Sequence, residues 1–176
     1  MGLGNPGQRY TGTRHNVGFE VAAALAERWS LGRAKSKFGA LLTEGRAGPG
    51  GPRVAILLPQ TYMNEAGRSV GPARGSFKLP LERVLVIHDE IDLPFGEVRA
   101  RSGGGLAGHN GLKSVAGELG GREFPRVRVG VGRPDSTDPD VVAAYVLAGF
   151  RESRDQVREL IELGCEAAES VIFEPT

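Results

Sequence analysis

The sequence has one cysteine, almost no net charge and no long apolar run, and each shortage excludes a class of protein. A single cysteine cannot form an intrachain disulfide or a multi-cysteine metal site. The 22 basic and 21 acidic side chains leave a formal net charge of +1, so any contact with nucleic acid must use a local basic patch. No apolar segment reaches the roughly 20 residues that cross a membrane, and no signal peptide is evident. We therefore expect a cytoplasmic protein without a membrane partner.

Glycine and proline are abundant instead, with 27 and 11 residues, and they predict many turns. A chain of 176 residues that is 40% hydrophobic and 24% charged is typical of one soluble globular domain with a substantial core. We expect that domain to span residues 1–176. Cys165 lies in an apolar helical pattern and is expected to be an inert core residue.

Helical and strand patterns alternate along the chain, which predicts one α/β domain. The predicted helices are Val17–Trp29, about Glu65–Phe77 with Asn64 as its N-cap, Leu112–Leu119, a helix capped by Asp138, and about Glu152–Phe173. The predicted strands are Phe38–Glu44 and Val54–Leu58, which form a hairpin, the buried Val84–Ile87, and two arginine-bearing strands within residues 97–102 and 126–132.

The first 18 residues form a glycine-rich loop dense in hydrogen-bonding side chains, and three interpretations compete for it. The first is a plain polar surface loop. The second is a dinucleotide fingerprint, because Gly2, Gly4 and Gly7 fit G-x-G-x-x-G, but that motif needs a strand before it and a helix directly after it. The third is a site loop that presents His15 as an acid–base catalyst.

The three histidines differ in their surroundings, and His15 is the best catalytic candidate because polar residues flank it in a loop. Asp89 is its natural partner, since a carboxylate on one ring nitrogen fixes the tautomer and leaves the other nitrogen free to accept a proton. His88 follows an apolar strand and is expected in the core, whereas the role of His109 stays open. The histidines are isolated along the chain, without H-x-x-x-H or C-x-x-C spacing, so a zinc site is disfavoured.

Three asparagines lie in or beside tight loops at candidate strand ends, namely Asn5, Asn64 and Asn110. Asparagine is common in turns for purely conformational reasons. Its side chain also offers both donors and acceptors. Three such turns at neighbouring strand ends favour a converging polar pocket.

Basic residues cluster late in the chain, and two pairs of them have strand spacing. Arg99 and Arg101 form one pair, and Arg126 and Arg128 form the other. Side chains two residues apart on a strand point to the same face, so each pair predicts a basic face beside the glycine-rich loop of residues 103–108. Such a face suits contacts with nucleic-acid phosphates.

Four motifs follow one another along the chain: G-L-G-N-P-G-x-x-Y-x-x-T-R-H-N at residues 2–16, P-Q-T-Y-M-N at 59–64, H-D-E-I-D-L-P at 88–94 and G-G-G-x-x-G-H-N-G-L at 103–112. In their order and spacing, the chain resembles bacterial peptidyl-tRNA hydrolase over nearly its whole length. The resemblance implies a single α/β domain with a twisted mixed sheet flanked by helices. It also implies a monomer without metal or cofactor that cleaves the ester between peptide and tRNA.

Carried over by position, the resemblance implies catalytic roles for His15 as the base, for Asp89 as its orienting carboxylate and for Asn5. It further implies that the peptidyl-adenosine end is bound by Tyr10, Tyr62, Asn64 and Asn110, and that tRNA phosphates are bound by Arg99, Arg101 and Arg128.

The chain departs from the family pattern in three places. Relatives have several strand residues before G-L-G-N-P-G, where this sequence has only Met1. Ala66 stands where the family usually has serine, and we expect little effect. Many relatives carry a basic tail beyond the position of Thr176, so we expect the tail to account for part of their tRNA affinity.

Two other functions remain open from the residues alone. An RNA-binding module without catalysis would use the same basic strands. A nucleotide-dependent oxidoreductase would rest only on the glycine pattern of residues 2–7.

Overall fold

The computed structural model describes residues 1–174 and has an α/β architecture, which confirms the predicted fold class. Within these residues, five helices and six strands follow in chain order, interrupted by short 3₁₀ turns. They are α1 (Val17–Arg28), β1 (Lys35–Lys37), β2 (Ala40–Arg46), β3 (Arg53–Pro59), α2 (Gly67–Phe77), β4 (Val86–Glu90), β5 (Val98–Ser102), α3 (Asn110–Leu119), β6 (Pro125–Gly130), α4 (Pro139–Val146) and α5 (Arg154–Phe173).

The strands form two three-stranded sheets, in the orders β1-β2-β3 and β4-β6-β5. The first sheet is antiparallel and contains the predicted hairpin of β2 and β3. The second is mixed, because β6 pairs parallel to β4 and antiparallel to β5. Residues 1–3 lie between the two sheets: the Gly2 amide donates to the Leu57 carbonyl at 3.1 Å, and the Leu3 amide donates to the Ile87 carbonyl at 2.9 Å. The start of the chain therefore joins both sheets and leads directly into the loop that carries His15.

Strand β4 differs from its predicted bounds. It covers Val86–Glu90, two to three residues later than the predicted Val84–Ile87, and all five of its residues are buried. His88 and Asp89 thus lie inside the strand and not beyond its end. The expectation was wrong because the apolar pattern stops at Ile87, whereas pairing with β6 continues to Glu90.

The start of helix α2 also differs from the prediction. Asn64 is not its N-cap, because a separate 3₁₀ turn covers Met63–Glu65 and the helix begins at Gly67 without a side-chain cap. Helix α5 begins as its sequence suggests, with a capping box in which Ser153 and Gln156 bond reciprocally.

Two apolar clusters form the core of the described part of the chain. One lies around Leu3, Leu112 and Phe124. The other packs α1 and α5 against β6 and buries Cys165 completely, as predicted. Among residues 1–174, no helix combines the length and apolar character needed to cross a membrane.

Candidate active site

His15 and Asp89 meet although 74 positions separate them in the chain. His15 lies in a 3₁₀ turn, Arg14–Asn16, directly before α1, and Asp89 lies in β4. The Nδ1 atom of His15 is 2.8 Å from Oδ2 of Asp89. The side chain of His15 is 13% exposed and that of Asp89 is 2% exposed. A buried carboxylate therefore holds one nitrogen of a ring whose edge is accessible.

His109 binds the other oxygen of the same carboxylate. Its Nε2 atom is 2.8 Å from Oδ1 of Asp89, and its ring centroid is 5.0 Å from that of His15. His15 and His109 are far apart along the chain, and the fold brings both rings onto one aspartate. His109 is a site residue that the sequence left undecided.

The N-terminus of α3 fixes the tautomer of His109. His109 is the N-cap of this helix, and its Nδ1 atom accepts from the amides of Gly111 and Leu112 at 3.1 and 3.3 Å. A nitrogen that accepts two hydrogen bonds carries no proton, so the ring proton resides on Nε2 and is donated to Asp89. Asp89 in turn accepts the Nδ1 proton of His15, which leaves Nε2 of His15 as a free base.

The donor atoms of His15, Asp89 and His109 all lie within 4.8 Å of one another, a spacing that also suits a metal ion. The helix cap argues against that use, because it leaves the proton on the nitrogen of His109 that faces Asp89. A metal at this point would require that nitrogen to lose its proton and offer a lone pair. The donor set therefore fits a hydrogen-bond relay better than a metal centre.

Burial and charge act in opposite directions on the relay. Burial alone would raise the pKa of Asp89, but the paired imidazoles outweigh it and hold that pKa well below its usual range. Burial alone would lower the pKa of His15, but the Asp89 charge and hydrogen bond outweigh it, so the pKa of His15 is raised. Asp89 is therefore ionised, and His15 titrates above its ordinary value.

His88 is the core histidine that the sequence predicts. It is 1% exposed, and its Nδ1 atom donates to the backbone carbonyl of Asp89 at 2.8 Å. Its Nε2 atom has no hydrogen-bond partner within the described residues. Burial, with His109 adding to it, lowers the pKa of His88 to about 3, so this ring is neutral.

Asn5 is held so that its amide group has a defined direction. The Oδ1 atom of Asn5 accepts from the Met63 amide at 2.7 Å. Asn16, which the sequence analysis did not single out, brackets the Asn5 backbone by accepting from its amide and donating to its carbonyl, both at 2.9 Å. The Nδ2 group of Asn5 makes no hydrogen bond within residues 1–174 and is free to donate.

The other predicted substrate-binding residues lie on neighbouring segments. Tyr62 is 60% exposed, and the Met63 amide that follows it binds Asn5. Asn110 begins α3 beside His109, and Gly111 packs so tightly that a Cβ there would lie 2.5 Å from the Met63 sulfur. The structure thus brings the three asparagine-bearing segments together. Exposed side chains in this group are Tyr62, Asn64 and Asn110, and Tyr10 is half-buried.

The arginines of β5 and β6 face one another across the sheet, with Arg99 opposite Arg128 and Arg101 opposite Arg126. Arg99 and Arg101 are exposed, whereas Arg128 donates to Glu90 at 2.6 Å. Arg126 does not belong to an open basic face as predicted. It is 2% exposed and donates to the carbonyls of Gly104, Gly105 and Arg122. Its role in the described structure is to hold the glycine-rich loop.

The family model for peptidyl-tRNA hydrolase matches residues 1–175 of this chain. The chain belongs to the peptidyl-tRNA hydrolase family. All four motifs lie within the matched residues, and they supply the relay and the asparagine-bearing segments.

Relatives and solved structures agree with this assignment. A peptidyl-tRNA hydrolase of Halalkalibacterium halodurans is 44% identical over 176 residues, which cover 99% of this chain and 93% of that one. One from Mycobacterium sp. (strain KMS) is 49% identical over 174 residues, covering 98% and 88%. The crystal structure of peptidyl-tRNA hydrolase from Acinetobacter baumannii superposes with a TM-score of 0.81 at 32% identity, covering 97% of this chain and 90% of that one.

Proposed function

We propose that this protein hydrolyses the ester between peptide and tRNA, with His15 as the general base. The observation that carries the proposal is the hydrogen bond from Nδ1 of His15 to a buried, ionised Asp89, which leaves Nε2 unprotonated beside an accessible edge. Nε2 takes a proton from water while the water oxygen attacks the ester carbonyl carbon. The tetrahedral intermediate then collapses, the ribose oxygen of the terminal adenosine leaves, and His15 returns the proton to that oxygen.

Asparagine amides hold the substrate in this proposal. The free Nδ2 group of Asn5 donates to the peptide, because Met63 already occupies its oxygen. Asn64 and Asn110 are exposed on the adjoining segments, and Tyr62 and Tyr10 offer ring surfaces to the adenosine end. A donor among these amides also stabilises the oxyanion that develops on the carbonyl oxygen.

The basic strands bind the tRNA phosphates. Arg99 and Arg101 are exposed on β5, and Arg128 lies opposite Arg99 on β6. A cavity of about 220 Å³ opens between this face and His88, and it is lined by Arg101 and Arg128 together with Glu90 and Asp92. Arginines that neutralise tRNA phosphates release counterions, which favours binding.

One assay separates hydrolysis from its main alternative, an RNA-binding module without catalysis. The protein is incubated with peptidyl-tRNA in excess EDTA, and free tRNA is measured over time. We expect turnover that EDTA does not reduce. Binding without turnover would favour the RNA-binding module, and turnover that EDTA abolishes would point to a metal.

We further propose that the protein acts as a cytoplasmic monomer. The relay, the asparagines and the arginines that the proposal uses all come from one chain. Sedimentation at micromolar concentration tests the monomer, and a dimer that alone supports turnover would contradict it.

A further inference from the structure

Arg14, the residue before His15, is a buried cation with no ion-pair partner among residues 1–174. It is 2% exposed, its Nη1 donates to the Tyr145 carbonyl at 2.8 Å, and its guanidinium carbon lies 3.8 Å from the centre of the Tyr145 ring. The Phe150 ring centre is 6.0 Å away. The Nε atom is buried without a hydrogen-bond partner in the described chain. Burying a guanidinium without a carboxylate costs free energy. This cost indicates that the contact of Arg14 with Tyr145 serves a specific purpose at this position.

The backbone on either side of Arg14 is attached to the same segment. The Arg14 amide donates to the Ala148 carbonyl at 3.0 Å, and Thr13 forms an antiparallel bridge with Gly149. The 3₁₀ turn that contains His15 is only three residues long, and a turn of this length does not fix its own orientation. The end of α4 and the residues after it therefore hold the Arg14 end of this turn, while Asn16 attaches its other end to Asn5.

Tyr145 connects this attachment to the strand that carries Asp89. Its hydroxyl donates to the Val131 carbonyl at 2.6 Å. The Val131 amide donates to the Glu90 carbonyl at 3.0 Å, and Glu90 directly follows Asp89. A continuous path of short contacts thus runs from the neighbour of His15 to the neighbour of Asp89, separate from the hydrogen bond between the two catalytic side chains.

We propose that Arg14 is a positioning residue that sets the distance between His15 and Asp89 through its stacking and hydrogen-bond contacts with Tyr145. The planar guanidinium lies over the ring and bonds the carbonyl of the same residue, so it fixes both the separation and the angle of the turn. Arg14 does not reach substrate, because its side chain is enclosed. This inference rests on the proposed role of His15 and concerns how that role is maintained.

The test is Arg14→Lys, which keeps the positive charge and removes the planar contact. We expect kcat to fall about tenfold or more with KM within about twofold, because a small displacement of a catalytic group costs rate more than binding. We also expect the pKa of His15, followed by NMR of its ring protons, to fall toward its ordinary value as the Asp89 contact loosens. A merely structural arginine would lower the unfolding temperature and leave both quantities unchanged, and that result would overturn the proposal.

Arg74→Lys is the matched control. Like Arg14, Arg74 donates to backbone carbonyls, those of Leu79 and Leu119, but it is half-buried and lies on α2 away from the relay. We expect a loss of stability similar to that of Arg14→Lys without a change in kcat or in the pKa of His15. Equal effects of both variants on the His15 titration would contradict the assignment.

Tyr145 supplies a second pair of variants in case Arg14→Lys does not fold. Tyr145→Phe keeps the ring and loses the bond to Val131, whereas Tyr145→Leu removes the ring itself. We expect the larger fall in kcat and in the pKa of His15 for Tyr145→Leu, and equal, wild-type values in both would overturn the proposal. The NMR titration requires no turnover, so an inactive wild type would refute the proposed hydrolysis while this inference is still tested.

Discussion

The N-terminal loop and strand β4 each supply a histidine that contacts Asp89, and the two rings are set up for opposite purposes. His15 from the loop contacts the carboxylate, and its pKa is raised. His88 from the strand contacts only the backbone carbonyl of Asp89, and its pKa is lowered to about 3. Both rings are largely removed from water, so burial alone does not separate them.

The difference shows that the kind of partner decides what a buried histidine does. An ionised carboxylate offsets the desolvation free energy of a buried charged ring, and a carbonyl dipole does not. His88 also has Arg126 and His109 as neighbours, which oppose a positive charge on its ring. The pKa of His15 is therefore raised above its ordinary value, and His88 is fixed in the neutral form as part of the core.

The largest expected effect comes from removing His15, the histidine of the N-terminal loop. His15→Ala should lower kcat by roughly 10²–10⁴ with little loss of tRNA affinity, as expected when a general base is removed. Hydrolysis of an N-blocked aminoacyl-tRNA and a separate binding titration measure the two quantities. Turnover within about threefold of wild type would remove His15 from the mechanism.

A second prediction concerns how the N-terminal loop discriminates between peptidyl-tRNA and free aminoacyl-tRNA. A peptide presents an uncharged amide and a carbonyl next to the ester, whereas a free aminoacyl group presents an amine or ammonium. The loop has no carboxylate before Glu20 to neutralise a cation, but the Nδ2 group of Asn5 can donate to a carbonyl. Asn5→Ala and Asn5→Asp should reduce the preference for N-acetylated over free aminoacyl-tRNA by about tenfold, the rate equivalent of one hydrogen bond.

The two Asn5 variants also control for each other. An aspartate oxygen can still accept the Met63 amide, so Asn5→Asp keeps the loop attached while losing the donor; Asn5→Ala loses both. Activity that drops equally on the two substrates in both variants would make Asn5 a purely structural residue.

A third prediction uses the pH dependence of protein stability to test whether His88, on β4, is held neutral. His88 has a pKa of about 3 when folded and about 6.5 when unfolded, so between these values the unfolded chain binds more protons. The free energy of unfolding should therefore fall as pH drops below about 6.5, by at most about 1.4 kcal/mol per pH unit. His15 opposes this slope only near pH 6.5, where its ring is partly deprotonated in the unfolded chain, and at lower pH it is protonated in both states.

His88→Asn removes this dependence in the most conservative way, since an asparagine amide can still donate to the Asp89 carbonyl. Urea unfolding between pH 6.5 and 5 compares the variant with wild type. Identical slopes for the two proteins would show that His88 is not held neutral. Turnover in the variant should stay within a few-fold of wild type, because His88 is no part of the relay.

The smallest expected effect concerns the exposed arginines of β5 and separates tRNA binding from the chemical step. Arg99→Ala or Arg101→Ala should weaken tRNA binding a few-fold and reduce the log–log salt slope by about 0.7–0.9 per lost phosphate contact. Hydrolysis of a short peptidyl-adenosine fragment should not change. Arg158→Ala on α5 is the control, and wild-type slopes in both test variants would mean that the tRNA lies elsewhere.

Much of this arrangement follows from the sequence because it rests on local signals. The hairpin of β2 and β3 follows from two apolar runs around a glycine–proline turn, and the start of α5 follows from its polar flank before an apolar face. The pairing of His15 with Asp89 follows from the chemistry that a loop histidine needs.

What the sequence did not show depends on tertiary contacts. His109 is an uncommon type of N-cap, so no capping rule identifies it, and its link to Asp89 exists only once α3 is docked. Strand β4 continues past its apolar run because His88 and Glu90 are buried by β6 and its arginines. In the sequence, Arg126 and Arg128 have the spacing of two arginines on one face of a strand. Only the position of the glycine-rich loop shows that the donors of Arg126 bind backbone carbonyls.

The most direct test of the central claim is the pH dependence of kcat/KM for wild type and for Asp89→Asn, measured on the same peptidyl-tRNA in EDTA. The wild-type rate should fall as pH drops through a His15 pKa above the ordinary value of about 6.5. In Asp89→Asn the charge is gone while the burial of His15 remains, so the maximal rate should fall by about 10²–10⁴ and the apparent pKa should move downward. A flat wild-type profile from about pH 5 to 8, or the same apparent pKa in both proteins, would contradict the account.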